Sequence, residues 1–186
     1  IDASASRFDP SAFGDYPAAD LNADLHAAGQ LNPAWRVATD FTVRPSRLMN
    51  QALSGKGSLV ADATRSGKSD ANLALGQNTV DLKGAFGGAG DKLVWNVDGK
   101  QLSAARSDLY GSVKANGVVT GSMAEPRTTF VLDANGLGWV AATRKLENGS
   151  LHASGEAALA PAVKGAARSV DIKASGTARK FNPAAF

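Results

Sequence analysis

Few residues in this chain could do chemistry, and none meets the partners its chemistry would need. Gly67-Lys68-Ser69 resembles the end of a phosphate-binding loop, in which backbone N–H groups and a lysine cradle phosphate oxygens. The leading glycine of that motif would fall at position 62, which is Asp62, and no strand-to-helix pattern follows. Asn148-Gly149-Ser150 fits a glycosylation acceptor, but Asn-Gly is also a turn between strands, and that explains it without a sugar. His26 and His152 are the only histidines. Ligation or general-base work would need carboxylates converging on them, and each instead lies among the polar positions of an alternating segment. Acidic residues are scattered singly, so no acid–base pair is specified. The absence of cysteine excludes disulfides and thiolate metal sites. No catalytic, metal or cofactor residue is assigned, and the chain is expected not to be an enzyme.

Composition narrows the partners. The net charge of +3 comes from 20 basic and 17 acidic residues without a block of one sign, and aromatics make up 6%. Nucleic acid would require a clustered basic stripe with stacking rings, so no nucleic-acid partner is expected. No apolar run approaches the roughly 20 residues of a spanning helix. The stretch from Ile1 carries neither a basic nor an apolar leader region, so a targeting signal or anchor is expected outside it.

The elements read as strands. From Asp20, residues Leu21, Ala23, Leu25 and Ala27 alternate with Asp20, Asn22, Asp24 and His26, the period of a half-buried strand. After a turn at Asn32-Pro33, Trp35, Val37, Phe41 and Val43 share a face. Pro45 to Gly55 breaks the pattern and reads as a single helical turn. Alternation resumes through Leu53, Leu59 and Ala61, and Thr64 to Asp70 reads as a turn. Leu73 and Leu75 then form a hairpin with Val80 and Leu82 across Gly76 to Asn78. Leu93, Trp95 and Val97 lead to a tight turn at Asp98-Gly99, and Gly99 to Leu109 has room for a short helix. Further strands carry Val113 and Ala115, then Phe130 and Leu132. A turn is expected at Ala134 to Trp139, followed by strands through Leu151 and Leu159 and, after a loop at 160–168, through Val170 and Ile172. Trp35, Trp95 and Trp139 read as core.

Two levels of repetition appear. Phe8-Asp-Pro-Ser-Ala-Phe13 recurs as Phe181-Asn-Pro-Ala-Ala-Phe186 at a lag of 173 residues (181 − 8). Residues 1–186 therefore read as a single block of a longer repetitive β-sheet array with seams at 8–13 and 181–186. Within it, Leu25 to Gly29, Leu53 to Gly57, Leu151 to Gly155 and Ile172 to Gly176 each run aliphatic, polar, small, a fourth residue and Gly, the fourth being small except for Lys56. The fold expected is all-β, an elongated, curled sheet of roughly ten to eleven strands forming an apolar trough; a closed barrel or two-sheet sandwich is the alternative. About eleven strands at roughly 4.8 Å would make a sheet about 50 Å long. The expected lining is Leu25, Val37, Phe41, Leu59, Leu73 and Leu82 from the first half. Trp95, Val113, Phe130, Leu132, Leu151 and Ile172 complete it.

The ordered phrases FDPSAFGDYPAADLNADLHAAGQL, PSRLMNQALSGKGSLVAD and LALGQNTVDLKGAFGGAGDKLVWNVD resemble the TamB family of the translocation and assembly module, in its repetitive AsmA-like region. The likeness is strongest over residues 7–98, above all in Ser46-Arg47-Leu48, Leu53-Ser54-Gly55 and Gly76-Gln77-Asn78. The resemblance implies a rolled sheet with an apolar inside, a β-taco, in a periplasm-spanning protein of Gram-negative bacteria anchored in the inner membrane. It further implies cargo of phospholipid acyl chains or unfolded outer-membrane protein strands. An Omp85-type outer-membrane barrel, TamA-like, would be the partner through parts outside residues 1–186. A structural or adhesive secreted β-domain is the alternative. An outer-membrane barrel fits less well, because aromatic girdles are missing.

Overall fold

The computed structural model describes residues 1–141, 144–145, 149–159 and 169–180. The alternating segments pair in chain order into one antiparallel meander. Its strands are β1 (Asp2–Phe8), β2 (Ala19–Gln30), β3 (Arg36–Leu48), β4 (Gln51–Asp62), β5 (Ser66–Leu75) and β6 (Asn78–Phe86). They continue as β7 (Leu93–Gly99), β8 (Leu109–Gly121), β9 (Pro126–Ala141), β10 (Arg144–Lys145), β11 (Gly149–Leu159) and β12 (Val170–Arg179). The two-residue β10 pairs with β9 alone, β11 returns to β9, and eleven strands follow one path from β1 to β12. The path does not close, so this is an open, curled sheet and not a barrel.

The curl follows from bulges as much as from ordinary strand twist. Register shifts fall between Ala5 and Phe8, Asp20 and Ala23, and Val43 and Ser46 at one end of the first strands. Others fall between Ser58 and Ala61 and between Ser66 and Ser69 at the opposite end, and between Tyr110 and Ser112 on β8. Each extra residue bends its strand and increases the local right-handed twist. Gly111, inside the β8 bulge, has φ of 101°, a conformation open to glycine at little cost.

Five expectations change. Pro45 to Gly55 contains no helical turn: β3 runs through Pro45 to Leu48, Met49 and Asn50 turn at φ of 50° and 63°, and β4 begins at Gln51. Pro45 is accommodated because it sits in a bulge, where no ladder hydrogen bond is lost. The turn expected over Thr64 to Asp70 is confined to its start. Asp62 Oδ1 accepts from the N–H groups of Thr64 (2.8 Å) and Arg65 (2.9 Å), and Gly67-Lys68-Ser69 lies in β5. Asp98 and Gly99 belong to β7, and Ala134 to Trp139 continue β9 past a kink at Gly136, φ 61°. Trp35, expected in the core, is 40% exposed before β3. Asp2–Phe8, ahead of the first strand read from the sequence, is the edge strand β1. A short 3-10 turn at Leu102–Ala104 occupies the stretch with room for a helix, and a second lies at Pro10–Phe13. The loop expected at 160–168 and the second seam at 181–186 lie outside the described residues.

Candidate functional site

The register ladders sort the side chains of the sheet into two faces. One row crosses all eleven strands as directly opposed partners: Ala3, Leu25, Phe41, Gly57, Ala71 and Leu82, then Trp95, Gly117, Phe130, Gly155 and Ala174. Opposed partners share a face, and residues two apart along a strand share it too. All twelve residues named as lining therefore lie on one face: Val37 and Leu59 flank this row on β3 and β4, Leu73 on β5, Val113 on β8, Leu132 on β9, Leu151 on β11 and Ile172 on β12. Every charged residue paired along the eleven-strand path alternates to the other face. The row next to the apolar one there reads Asp2, His26, Asp40, Ser58, Asp70 and Lys83.

Among the described residues no second layer covers the apolar face. Leu25 is 40% exposed, Leu59 38%, Leu73 37% and Ile172 65%. Among the described residues only Leu93, Ala104 and Ala134 are buried apolar side chains. A sandwich would have buried the whole row, so the two-sheet alternative is excluded for these strands.

Glycines keep the face low. A Cβ at Gly57 would lie 2.7 Å from a Phe41 ring atom and 2.7 Å from the Ala71 methyl carbon. A Cβ at Gly117 would lie 2.6 Å from the indole of Trp95. The rings thus lie down over glycine backbone on the neighbouring strand instead of standing up from the sheet. Trp95 crosses β8 completely: its Nε1–H donates to Thr128 Oγ1 on β9 at 3.1 Å.

Two buried serines on this face are satisfied by the protein itself. Ser46 Oγ accepts the Asn22 N–H at 2.8 Å and donates to the Arg44 carbonyl at 2.8 Å. Ser69, 1% exposed, donates to the Gly67 carbonyl at 3.2 Å. Both serines sit at bulges, where a displaced backbone group would otherwise lack a partner. A ligand on this face would meet hydrocarbon, not a polar constellation. One hollow of about 230 Å³, lined by Val119, Pro126, Thr128, Ala157, Leu159 and Val170 among others, lies where β8, β9, β11 and β12 end.

Two clamps brace the middle strands. At one end, the Arg65 guanidinium grips Asp91 with both arms, Nε to Oδ2 at 2.7 Å and Nη2 to Oδ1 at 2.6 Å. Arg65 holds the Asp91 carboxyl below its usual pKa, helped by the Gly88 N–H, and Asp91 in turn raises that of Arg65. At the other end, Asn78 donates to the Gln101 carbonyl and accepts its N–H, both at 2.8 Å. This fixes the Leu102–Ala104 turn against the sheet, where Ala104 is 2% exposed beside Gly76.

The two histidines stand on the outer face, each on a cross-strand aspartate: His26 Nδ1 is 2.5 Å from Asp2 Oδ1, and His152 Nδ1 is 2.6 Å from Asp133 Oδ1. The hydrogen bond to His26 lowers the Asp2 pKa. Both pairs are exposed, and the described residues hold no group of three or more His, Cys, Asp or Glu placed to hold a metal. Sequence reasoning missed Thr128, Ser46 and Ser69: Thr128 and Ser46 are recruited by other strands, and Ser69 by the bulge in its own strand. The Phe8 and Phe13 rings of the first seam stack at 5.6 Å. The side chain of Trp139 lies outside the described residues.

No curated protein and no solved structure matches the chain. The family model described as TamB, N-terminal domain, matches residues 4–178, nearly the whole sheet. The chain therefore belongs to the TamB family, and with it to the translocation and assembly module.

Proposed function

We propose that this sheet is a non-enzymatic conduit whose apolar face shields hydrophobic cargo from water between the inner and outer membranes. The observation that carries the reading is the uncovered apolar face running across eleven strands, with every paired charge on the other side. Apolar contact is worth about 25 cal/mol per Å² and has no direction, so cargo can be held by area and still slide. Phospholipid acyl chains and the apolar side of unfolded outer-membrane protein strands both fit such a surface. The role would be to support phospholipid transport and the assembly of outer-membrane proteins, autotransporters included. Family membership is consistent with a periplasmic segment of an envelope protein. No helix of the described residues is long and apolar enough to cross a membrane. Anchoring in the inner membrane and docking to an Omp85-type, TamA-like barrel would fall to parts outside residues 1–186.

Lipid extraction and mass spectrometry of the purified chain test the reading: co-purified phospholipid supports it, and its absence after expression in a Gram-negative envelope counts against it. In cells, Leu82→Arg and Leu132→Arg should each stop lipid movement while leaving a folded, expressed protein. Unchanged lipid movement with both substitutions together would sink the conduit. A secreted adhesive domain would tolerate both.

A further inference from the structure

At one corner of the sheet the apolar and polar faces come within reach of a single small molecule. The rim where β8 ends at Gly121, β9 begins at Pro126, β11 ends at Leu159 and β12 begins at Val170 carries a hollow on each side. The one on the apolar face, of about 230 Å³, has Val119, Leu159 and Val170 in its wall. The one on the outer face, of about 370 Å³, is lined by Arg127, Glu156, Asp171 and Lys173. Arg127, Ala157 and Ala158 border both. Between β9 and β11 the rim is notched. Arg127 opposes Ala158 there, and the chain passes from β9 to β11 at the opposite end, beyond the pairing of Leu137 with Gly149, so it does not join the two strands at this rim.

The outer hollow has a charge pattern of its own. Register places Arg127, Ala158 and Asp171 side by side in one row, and Glu156 and Lys173 side by side in the next. Among the described residues none of these four charges forms an ion pair. Two cations and two carboxylates sum to zero, so a simple anion or cation gains little net attraction. A neutral molecule that carries both signs gains from both. A phosphate can accept from the Arg127 guanidinium through two oxygens, and an ammonium two carbons away can donate to Glu156 or Asp171.

We propose that this corner is a headgroup site for a zwitterionic phospholipid, one whose phosphate is followed by an ammonium, as in an ethanolamine lipid; the assignment rests on the conduit reading. An acyl chain occupies the apolar hollow, and the lipid bends over the notch between β9 and β11. Its phosphate then meets Arg127, and its ammonium meets Glu156 and Asp171. Hydrocarbon supplies the affinity and the charges supply the choice between headgroups, the usual division of labour in a ligand site.

The chain has no cysteine, so Thr120→Cys, which opposes Arg127 on β8, can carry a solvent-sensitive dye that reads this corner alone. The labelled protein is titrated with dihexanoyl phosphatidylethanolamine and dihexanoyl phosphatidylglycerol, which share their chains. Exposed charge pairs are individually weak, so the ethanolamine lipid should bind more tightly by about threefold. Glu156→Gln with Asp171→Asn should turn the preference toward the glycerol lipid. Arg127→Gln should weaken both lipids, and Arg127→Lys should restore part of the loss. All three substituted side chains are exposed, so the sheet should be unaffected. Equal affinity for the two lipids, or a preference that survives loss of both carboxylates, would overturn the headgroup site. So would tight binding of glycerophosphoethanolamine, the headgroup without chains, which would assign the outer hollow to a soluble phosphate compound. A dye that answers to neither lipid overturns it too, while phospholipid co-purified with the unlabelled chain judges the conduit separately.

Discussion

Trp95 and Thr128 are joined across an intervening strand: the indole N–H of β7 reaches the hydroxyl of β9 at 3.1 Å by lying over Gly117 of β8. This contact turns three strands into one braced unit at the centre of the apolar row. It also explains why a bulky aromatic and a glycine are opposed in the ladder, since either alone would leave a gap or a collision.

Gly117→Ala should therefore displace the indole as well as strain the strand. An added methyl carbon would collide with the Thr129 carbonyl oxygen and lie 2.6 Å from ring atoms, so both backbone and ring must give, at about 1–3 kcal/mol. Trp95→Phe, which keeps most of the ring and loses only the donor, should cost about 1 kcal/mol. Denaturant unfolding of the two variants checks the order; a Gly117→Ala protein as stable as the parent would show that the ring and the β9 backbone both yield at no cost.

Ser46→Ala should weaken the seam between β2 and β3. The Asn22 N–H loses its acceptor and is left unpaired where water access is limited, worth about 1–3 kcal/mol. Hydrogen exchange should accelerate at Asn22 and its neighbours while β8 to β11 remain unchanged.

The Arg65–Asp91 clamp predicts a pH dependence with a definite sign. Because the folded Asp91 pKa is lowered, its contribution is complete above the unfolded value of about 4 and fades as pH falls through the lower folded value. The melting temperatures of the parent and of Asp91→Asn should differ at pH 7 and converge on acidification toward pH 2. A gap that persists at the acid end would assign the effect to packing.

Leu82→Arg offers the contrast. Leu82 opposes Ala71 and Trp95 on a face open to water, so the guanidinium can stay hydrated and the cost should be about 1–2 kcal/mol. Binding of an apolar fluorescent probe should fall several-fold in the same protein. Loss of folding instead would mean that the face is a core.

The two-faced pattern was legible in the sequence because charge and hydrocarbon alternate at period two in nearly every strand, and strand period alone determines facing. The twelve lining residues fall on one face for that reason. Boundaries were less legible. Pro45, Asp98-Gly99 and Ala134 to Gly138 carry local turn chemistry, yet neighbouring strands hold them in the ladder, at bulges or within it. β1 was hidden because Asp-Ala-Ser-Ala-Ser has little apolar contrast, and pairing with β2, not burial, makes it a strand. The polar staples Ser46 and Thr128 act on strands other than their own, information that no window of sequence contains.

A sheet one layer thick has a mechanical consequence. Most strands touch only the two beside them, so stability accumulates along the array by nearest-neighbour terms, as in a stack of repeats. Injury should then stay local: a weakened hairpin near β2 melts without disturbing β11. Length, too, becomes adjustable, because a hairpin added or removed between rows changes the reach of the sheet without altering any other joint.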